Sequence, residues 1–233
     1  MDVLTWALGT NASWLSINAT TGVLSGTPTN TDVGSYWVYV NVSDGHGGQD
    51  SNYFTLTVSN TNDDPLITTT DDTTAVEDAF YSVDYDTTDI DPTGDTLTWS
   101  LSTNAGWLSM DTNGWLNGTP TNSDVGAYWV EVSVDDGNGG SDVHNFTLTV
   151  SNTNDDPVIT TTDDTTAVED ALYLVDYEAT DIDPTMDVLT WALGTNASWL
   201  SINLTTGVLS GTPANADVGS YWVNVTVDDG NGV

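Results

Sequence analysis

The sequence predicts an all-β protein built of tandem seven-stranded antiparallel Greek-key β-sandwiches. Three observations predict it. First, the chain repeats itself. Gly26-Thr27-Pro28 returns 92 residues later as Gly118-Thr119-Pro120, and 93 residues after that as Gly211-Thr212-Pro213. Asn62-Asp63-Asp64-Pro65 likewise returns as Asn154-Asp155-Asp156-Pro157. That period is the size of one sandwich domain. Second, apolar residues alternate with polar ones, the pattern of strands with one buried face. Third, short clusters of Gly, Asp and Asn divide the alternating runs, and no helical period lies between them.

The elements follow in order along the complete repeat. Residues 66–70 read as a first strand and 80–88 as a second. In 96–102, Leu97, Trp99 and Leu101 share one face, which places Trp99 and its equivalents Trp6 and Trp191 in the core. Residues 107–110 and 115–117 are short strands around a turn. Tyr128, Val130, Val132 and Val134 alternate with Trp129, Glu131, Ser133 and Asp135, giving a strand with a clean inner face. Residues 137–140 make a turn, and Phe146, Leu148 and Val150 mark the last strand.

The expected domains are 1–64, a partial repeat without its first strands, then 65–156, a complete repeat, then 157–233, a partial repeat without its last strand. Residues 1–18 are identical to 186–203, so Met1 matches the internal Met186. The ends therefore read as cuts within repeats of a longer repetitive polypeptide.

Composition narrows the function. The chain has no Lys, Arg or Cys, 35 acidic residues and a formal charge of −35. Only His46 and His144 can oppose that charge, so carboxylates must repel across the fold unless cations bind or concentrated salt screens them. No basic group exists to hold a phosphate or an anionic lipid surface, which excludes nucleic acid and electrostatic membrane docking. No apolar run is long enough to span a bilayer, so direct membrane insertion is not expected in this segment. Disulfides and Lys–Asn isopeptide braces are excluded. Ten Trp and nine Tyr set in alternating runs argue against disorder.

Four acidic clusters recur. They are the junction motif from Asn60 to Pro65 and again from Asn152 to Pro157, with Asn62, Asp63, Asp64 and Asn154, Asp155, Asp156; Glu77-Asp78 and Glu169-Asp170; Asp89-x-Asp91 with Asp95, repeated as Asp181, Asp183 and Asp187; and Asp135-Asp136, repeated as Asp228-Asp229, at the turn of the last hairpin. Sandwich loops gather at the two ends of a domain, so clusters ending one repeat meet those opening the next. Ca²⁺ takes six to eight hard oxygens, which Asp and Asn on tight turns supply, and a divalent ion turns their repulsion into a clamp. Turn formation and solubility alone would account for single Asp residues. They account less well for Glu77 and for the Asp89/Asp91 pair, because a turn needs no such convergence. A surface adapted to high salt remains open beside the calcium reading.

In these motifs the chain resembles cadherin repeats, and especially the dystroglycan-type cadherin-like modules of microbial surface proteins. The Asn-Asp linker before Pro65 and Pro157, the Glu at 77 and 169 and the Asp-x-Asp at 89/91 and 181/183 match the family's motifs over the whole chain. The resemblance implies Ca²⁺ between successive domains, held by these groups. The family's Asp-Arg-Glu motif is absent; Asp32, Asp124 and Asp217 stand nearby in Asp-Val-Gly turns.

Asn-x-Ser/Thr sequons at Asn11, Asn18, Asn41, Asn117, Asn145, Asn196, Asn203 and Asn224 fit a secreted glycoprotein, with Asn41, Asn145 and Asn224 on outward parity. Trp37, Trp129 and Trp222 also face outward, either as a contact for sugar or protein or as cover beneath loops or glycans. No nucleophile motif appears, the two His occupy different repeat positions, and every acidic cluster is copied, so the chain does not read as an enzyme. The resulting expectation is a structural or adhesive repeat region at the cell surface or outside the cell: a stalk, surface layer or fibre stiffened by calcium. Its partners would be other copies of itself, surface proteins or glycans. The alternative is a carbohydrate-binding or enzyme-accessory array using the outward Trp residues.

Overall fold

The computed structural model describes residues 2–92, 94–184 and 187–231. The equivalent Met1 and Met186 lie outside them. The described residues form strands joined by turns and three short 3-10 turns, with no α-helix. The first repeat contributes β1 (Thr5–Thr10), β2 (Ser16–Ile17), β3 (Leu24–Ser25), β4 (Gly34–Ser43) and β5 (Gln49–Val58). The middle repeat adds β6 (Leu66–Ile67), β7 (Thr74–Val76), β8 (Tyr81–Asp84), β9 (Thr87–Thr88), β10 (Thr98–Thr103), β11 (Leu108–Met110), β12 (Trp115–Gly118), β13 (Gly126–Asp135) and β14 (Ser141–Ser151). The third holds β15 (Val158–Ile159), β16 (Tyr173–Asp176), β17 (Ala179–Thr180), β18 (Thr190–Thr195), β19 (Leu200–Ile202), β20 (Val208–Gly211) and β21 (Val223–Asp228).

The middle repeat shows the sandwich in full. One sheet has the order β10-β13-β14-β7 and the other β11-β12-β8. Val130, Val132 and Val134 of β13 are buried while Trp129 stays half exposed, as their alternation predicts. Leu148 and Val150 of the neighbouring β14 extend this inner face, and Leu116 of β12 closes the interior from the opposite sheet. Trp107 fills the space between Tyr81 and Tyr128, edge-on to both rings.

Two details depart from the sequence expectation. The first strand is broken: β6 pairs with β9, then the chain crosses over and β7 runs parallel to β14. The second strand is likewise divided into β8 and β9, because Tyr85 turns inward at the break, donating its hydroxyl to Asp71. These breaks let one strand serve both sheets, which alternation alone does not reveal.

The recurrent Gly-Thr-Pro has a steric cause. A Cβ on Gly118 would lie 2.3 Å from the backbone oxygen of Trp107, and Gly26 and Gly211 meet Trp14 and Trp199 in the same way. In the third repeat, β21 pairs with β18 alone among the described residues. A cleft of about 1040 Å³ separates it from 163–169, where β14 sits between β13 and β7 in the middle repeat.

Candidate metal centres

The acidic motifs are set by local structure. In the middle repeat the Glu77 amide donates to the Ser151 carbonyl. Asp78 then adopts a left-handed backbone (φ 56°), donating its amide to the Pro120 carbonyl of Gly-Thr-Pro. Asp170 (φ 60°) does the same with Pro213. The Glu-Asp and Gly-Thr-Pro motifs, distant in sequence, are thus one structural unit that aims the Glu at the end of the domain.

At the second junction, three carboxylates from three segments converge. Glu77 of the middle repeat, Asp155 of the linker and Asp183 of the third repeat place ligand oxygens within 4.8 Å of one another. Asp183 is shared with a second group, formed with Asp181 and Asp229. The linker is threaded through them. The Asn152 side chain donates to Asp183 Oδ1 at 3.0 Å, the Asp155 amide to Asp183 Oδ2 at 2.9 Å, and the Asn154 side chain to Asp229 at 2.8 Å. The Thr153 amide donates to Glu77 Oε1.

The first junction repeats the scheme. Asn60 and the Asp63 amide occupy both oxygens of Asp91, at 2.8 and 2.9 Å. Asn62 donates to Asp136 at 2.7 Å. Asp89, Asp91 and Asp95 form a third group of converging carboxylates. Gly140 packs against the Asn62–Asp136 pair: a Cβ there would lie 2.3 Å from Asp136 Oδ2 and 2.7 Å from Asp64 Oδ1, so these carboxylates would have to shift.

The electrostatics separate these carboxylates. Hydrogen bonds from Asn62, and then from the turn amides of Asn138 and Gly140, hold Asp136 below the usual carboxylate range. Asp229 is held low by the Asn231 amide and then by Asn154. Asp95 moves the other way: desolvation, then the charges of Asp91, Asp89 and Asp136, push it up.

The buried oxygens left without a donor test whether a cation fits. Among the described residues these side-chain oxygens are Asn60 Oδ1, Asp89 Oδ2 and Asp95 Oδ2 at the first junction, and Glu77 Oε2, Asn152 Oδ1 and Asp181 Oδ2 at the second. Every one is an acceptor, every one lies at a junction, and Glu77 is 2 % exposed. Buried acceptors in such numbers are costly unless a partner meets them. Clustered carboxylate and amide oxygens are the donor set that Ca²⁺ takes.

The sequence-derived residues divide accordingly. The structure brings together Glu77, Asp155, Asp181 and Asp183, Asp89 with Asp91, and the pairs Asn62–Asp136 and Asn154–Asp229. It leaves Asp64, Asp78, Asp135, Asp156, Glu169 and Asp170 exposed and outside the three carboxylate groups. Asp135 serves its turn by accepting the Gly137 amide. Asp95 and Asp229, along with Asn60 and Asn152, join the junctions without having been placed among the ligands. Their signal was recurrence within the same four clusters. Asn30 and Asn122 also reach across, donating to Asp63 and Asp155. Asp32 and Asp124 cap the 3-10 turns through the Thr29 and Thr121 amides, and Asp217 through that of Ala214. These three carboxylates therefore have local work where the Asp-Arg-Glu motif is missing.

Several sequons also have local work. Asn11 and Asn196 accept the backbone amides of Trp37 and Trp222, and Asn104, which is no sequon, does the same for Trp129. Asn18 and Asn203 accept turn amides. Asn117 is half-buried in β12, Asn41 is partly covered, and Asn145 and Asn224 are exposed.

Among solved structures, the chain resembles protocadherin gamma B2 extracellular cadherin domains 1–5 (19 % identity, TM-score 0.59) over 98 % of its own length and 50 % of that chain. It also resembles mouse cadherin-23 EC22-24 (17 %, TM-score 0.57, 98 % of this chain and 81 % of that one). Human CDH23 EC21-23 is similar at 17 % identity and TM-score 0.59, covering 97 % and 88 %. At such identities the likeness shows the fold: a cadherin-like β-sandwich array. The chain spans half the length of the protocadherin it matches. A search of curated proteins found no match. The family model described as "Putative Ig domain" (He_PIG) matches three successive segments, 2–59, 64–151 and 156–233. Ig-like tandem repeats, cadherin-like in fold, account for nearly the whole chain, which belongs to the He_PIG family.

Proposed function

We propose that this chain is a structural or adhesive segment of an extracellular or cell-surface repeat protein, stiffened by Ca²⁺ at the junctions 60–65 and 152–157. The repeats are taken as 1–64, 65–156 and 157–233. The observation that carries this reading is the convergence of Glu77, Asp155 and Asp183, from two repeats and their linker, beside buried oxygens without donors. An ion held there would tie one repeat to the next and remove the repulsion that a chain of charge −35 otherwise carries at its joints. Asp89, Asp91 and Asp95 would serve the first junction, and Asp181, Asp183 and Asp229 the second. The copied sites suit a repetitive scaffold better than a single catalytic cleft. Other copies of the chain, surface proteins or glycans are its partners in this reading, and end-to-end fibres its natural assembly. The array carries N-glycans at its exposed sequons.

Thermal melting with Ca²⁺ and with chelator at fixed ionic strength tests the proposal. A large rise in Tm with millimolar Ca²⁺ that equal ionic strength of NaCl does not reproduce supports it. Equal recovery in NaCl would instead assign the acidity to a salt-adapted surface. A second reading, a carbohydrate-binding array, draws on the exposure of Trp37, Trp129 and Trp222, at 41, 50 and 57 %.

A further inference from the structure

We propose that the outward face of the sheet formed by β1, β4 and β5 is a binding platform for a neutral polysaccharide, with Trp37, Tyr39 and Tyr53 as its stacking rings. The proposal is independent of the calcium reading. It rests on the carbohydrate reading and narrows it from three tryptophans to one repeat.

The three rings share one parity of the sheet. Tyr39 pairs with Gly9 on one side and Tyr53 on the other, and Trp37 is the next outward residue of β4, opposite Thr55. All are open to solvent, Tyr53 at 65 %. Gly9 lies directly beside two of the rings: a Cβ there would stand in contact with the indole of Trp37, at 3.5 Å, and with Tyr39, at 3.7 Å.

Charge sets this face apart. The chain carries 35 carboxylates. The outward positions of these strands nevertheless hold only Thr, Ala, Gly, Ser, Trp, Tyr, Asn and Gln. Asp50, the one acidic residue in the three strands, has the opposite parity, across from Val42. The sister faces lack the combination. In the middle repeat, Ser102, Glu131 and Asn145 form the row equivalent to Gly9, Tyr39 and Tyr53. In the third, Asn224 stands opposite Gly194.

The ligand class follows from this chemistry. Aromatic faces take the C–H faces of pyranose rings, while Asn41, Ser51 and Thr55 beside them offer uncharged donors and acceptors to hydroxyls. An acidic polysaccharide would be repelled by the rest of the molecule. An uncharged polar rim suits a polyhydroxyl chain better than the apolar core of a protein interface.

The test is affinity electrophoresis of the whole chain, produced without N-glycans, through gels containing mixed-linkage β-glucan, xyloglucan or galactomannan, with alginate as the acidic control. The expected result is retardation by a neutral polymer, in calcium and in chelator alike, and none by alginate. Tyr53→Ala and Trp37→Ala each weaken binding about tenfold, while Trp129→Ala leaves it unchanged. Tyr53 is exposed enough for its replacement to spare the fold, so that variant remains decisive if Trp37→Ala misfolds. Absence of retardation by all three neutral polymers would overturn the proposal, as would binding indifferent to Tyr53→Ala. Equal losses for Trp37→Ala, Trp129→Ala and Trp222→Ala would overturn it in favour of the wider array. A concentration-dependent dimer dissolved by Tyr53→Ala would overturn it in favour of a second copy as the occupant.

Discussion

The carboxylate of Glu77, in the middle repeat, lies within 4.8 Å of that of Asp183, in the third repeat, in a chain with no lysine or arginine to separate them. Two like charges so placed oppose folding unless a cation intervenes. Glu77→Gln is therefore expected to remove most of the Ca²⁺-dependent gain in Tm at the second junction. Its repeat equivalent Glu169 is exposed, and Glu169→Gln should leave that gain intact. Calorimetry of both variants in Ca²⁺ and in chelator checks the difference. Saturation at a hundred times Kd corresponds to about 2.7 kcal/mol of linkage.

Asp95 gives a pH signature of the opposite kind from Asp136. Burial and neighbouring carboxylates raise its pKa above the ordinary 3.8. Its contribution to stability is thus fullest when it is protonated, and is lost as pH rises through the raised value. In chelator, Asp95→Asn should melt higher than the parent at pH 7, and the advantage should vanish on acidification. With Ca²⁺ present the order should reverse, because the ion needs the charge. Melting series at several pH values in both buffers read this directly.

Asp136 has its pKa lowered below 3.8 by Asn62 and the turn amides. Its ionised form therefore stabilises the fold above that pH, and the stabilisation is lost as pH falls through the depressed value. Asp136→Asn should be less stable than the parent at neutral pH and converge with it in acid. Denaturant titrations at pH 7 and pH 2.5 check the convergence.

Gly118 is a sterically demanding position of the middle repeat. Gly118→Ala would press a methyl against the Trp107 carbonyl and should cost about 1–3 kcal/mol. Gly106→Ala, with open space around it, should change stability by less than about 0.5 kcal/mol. Equilibrium unfolding of the two variants separates the steric effect from any general intolerance of alanine.

Glycopeptide mapping after expression in a eukaryotic secretory host should find Asn145 and Asn224 occupied and Asn117 bare. The first two are exposed, whereas Asn117 is paired on both sides within its sheet. Asn104→Ala and Asn11→Ala should each cost about 1 kcal/mol, since both amides accept a tryptophan backbone N–H irrespective of any glycan.

Much was legible before folding was considered. Alternation alone placed Val130, Val132 and Val134 inside and Trp129 outside, because side chains of a strand point to opposite faces in turn. Repetition marked the acidic clusters, since each copy must solve the same joint. The breaks at β6/β7 and β8/β9 were not legible, because a strand that changes sheets keeps the same local pattern on both sides of the change.

The amino-acid sequence by itself determined the all-β repeats, their period and the unrelieved negative charge, for these depend on local alternation and composition. Only the tertiary structure decided which carboxylates meet. Glu77 finds Asp155 and Asp183 because Pro120 holds the Glu-Asp turn and the linker amides are spent on Asp183, while Asp78 and Asp135, as acidic and as often repeated, are left in solvent. Convergence is a property of through-space distance, and spacing along a chain carries no record of it until strands from different repeats are packed end to end.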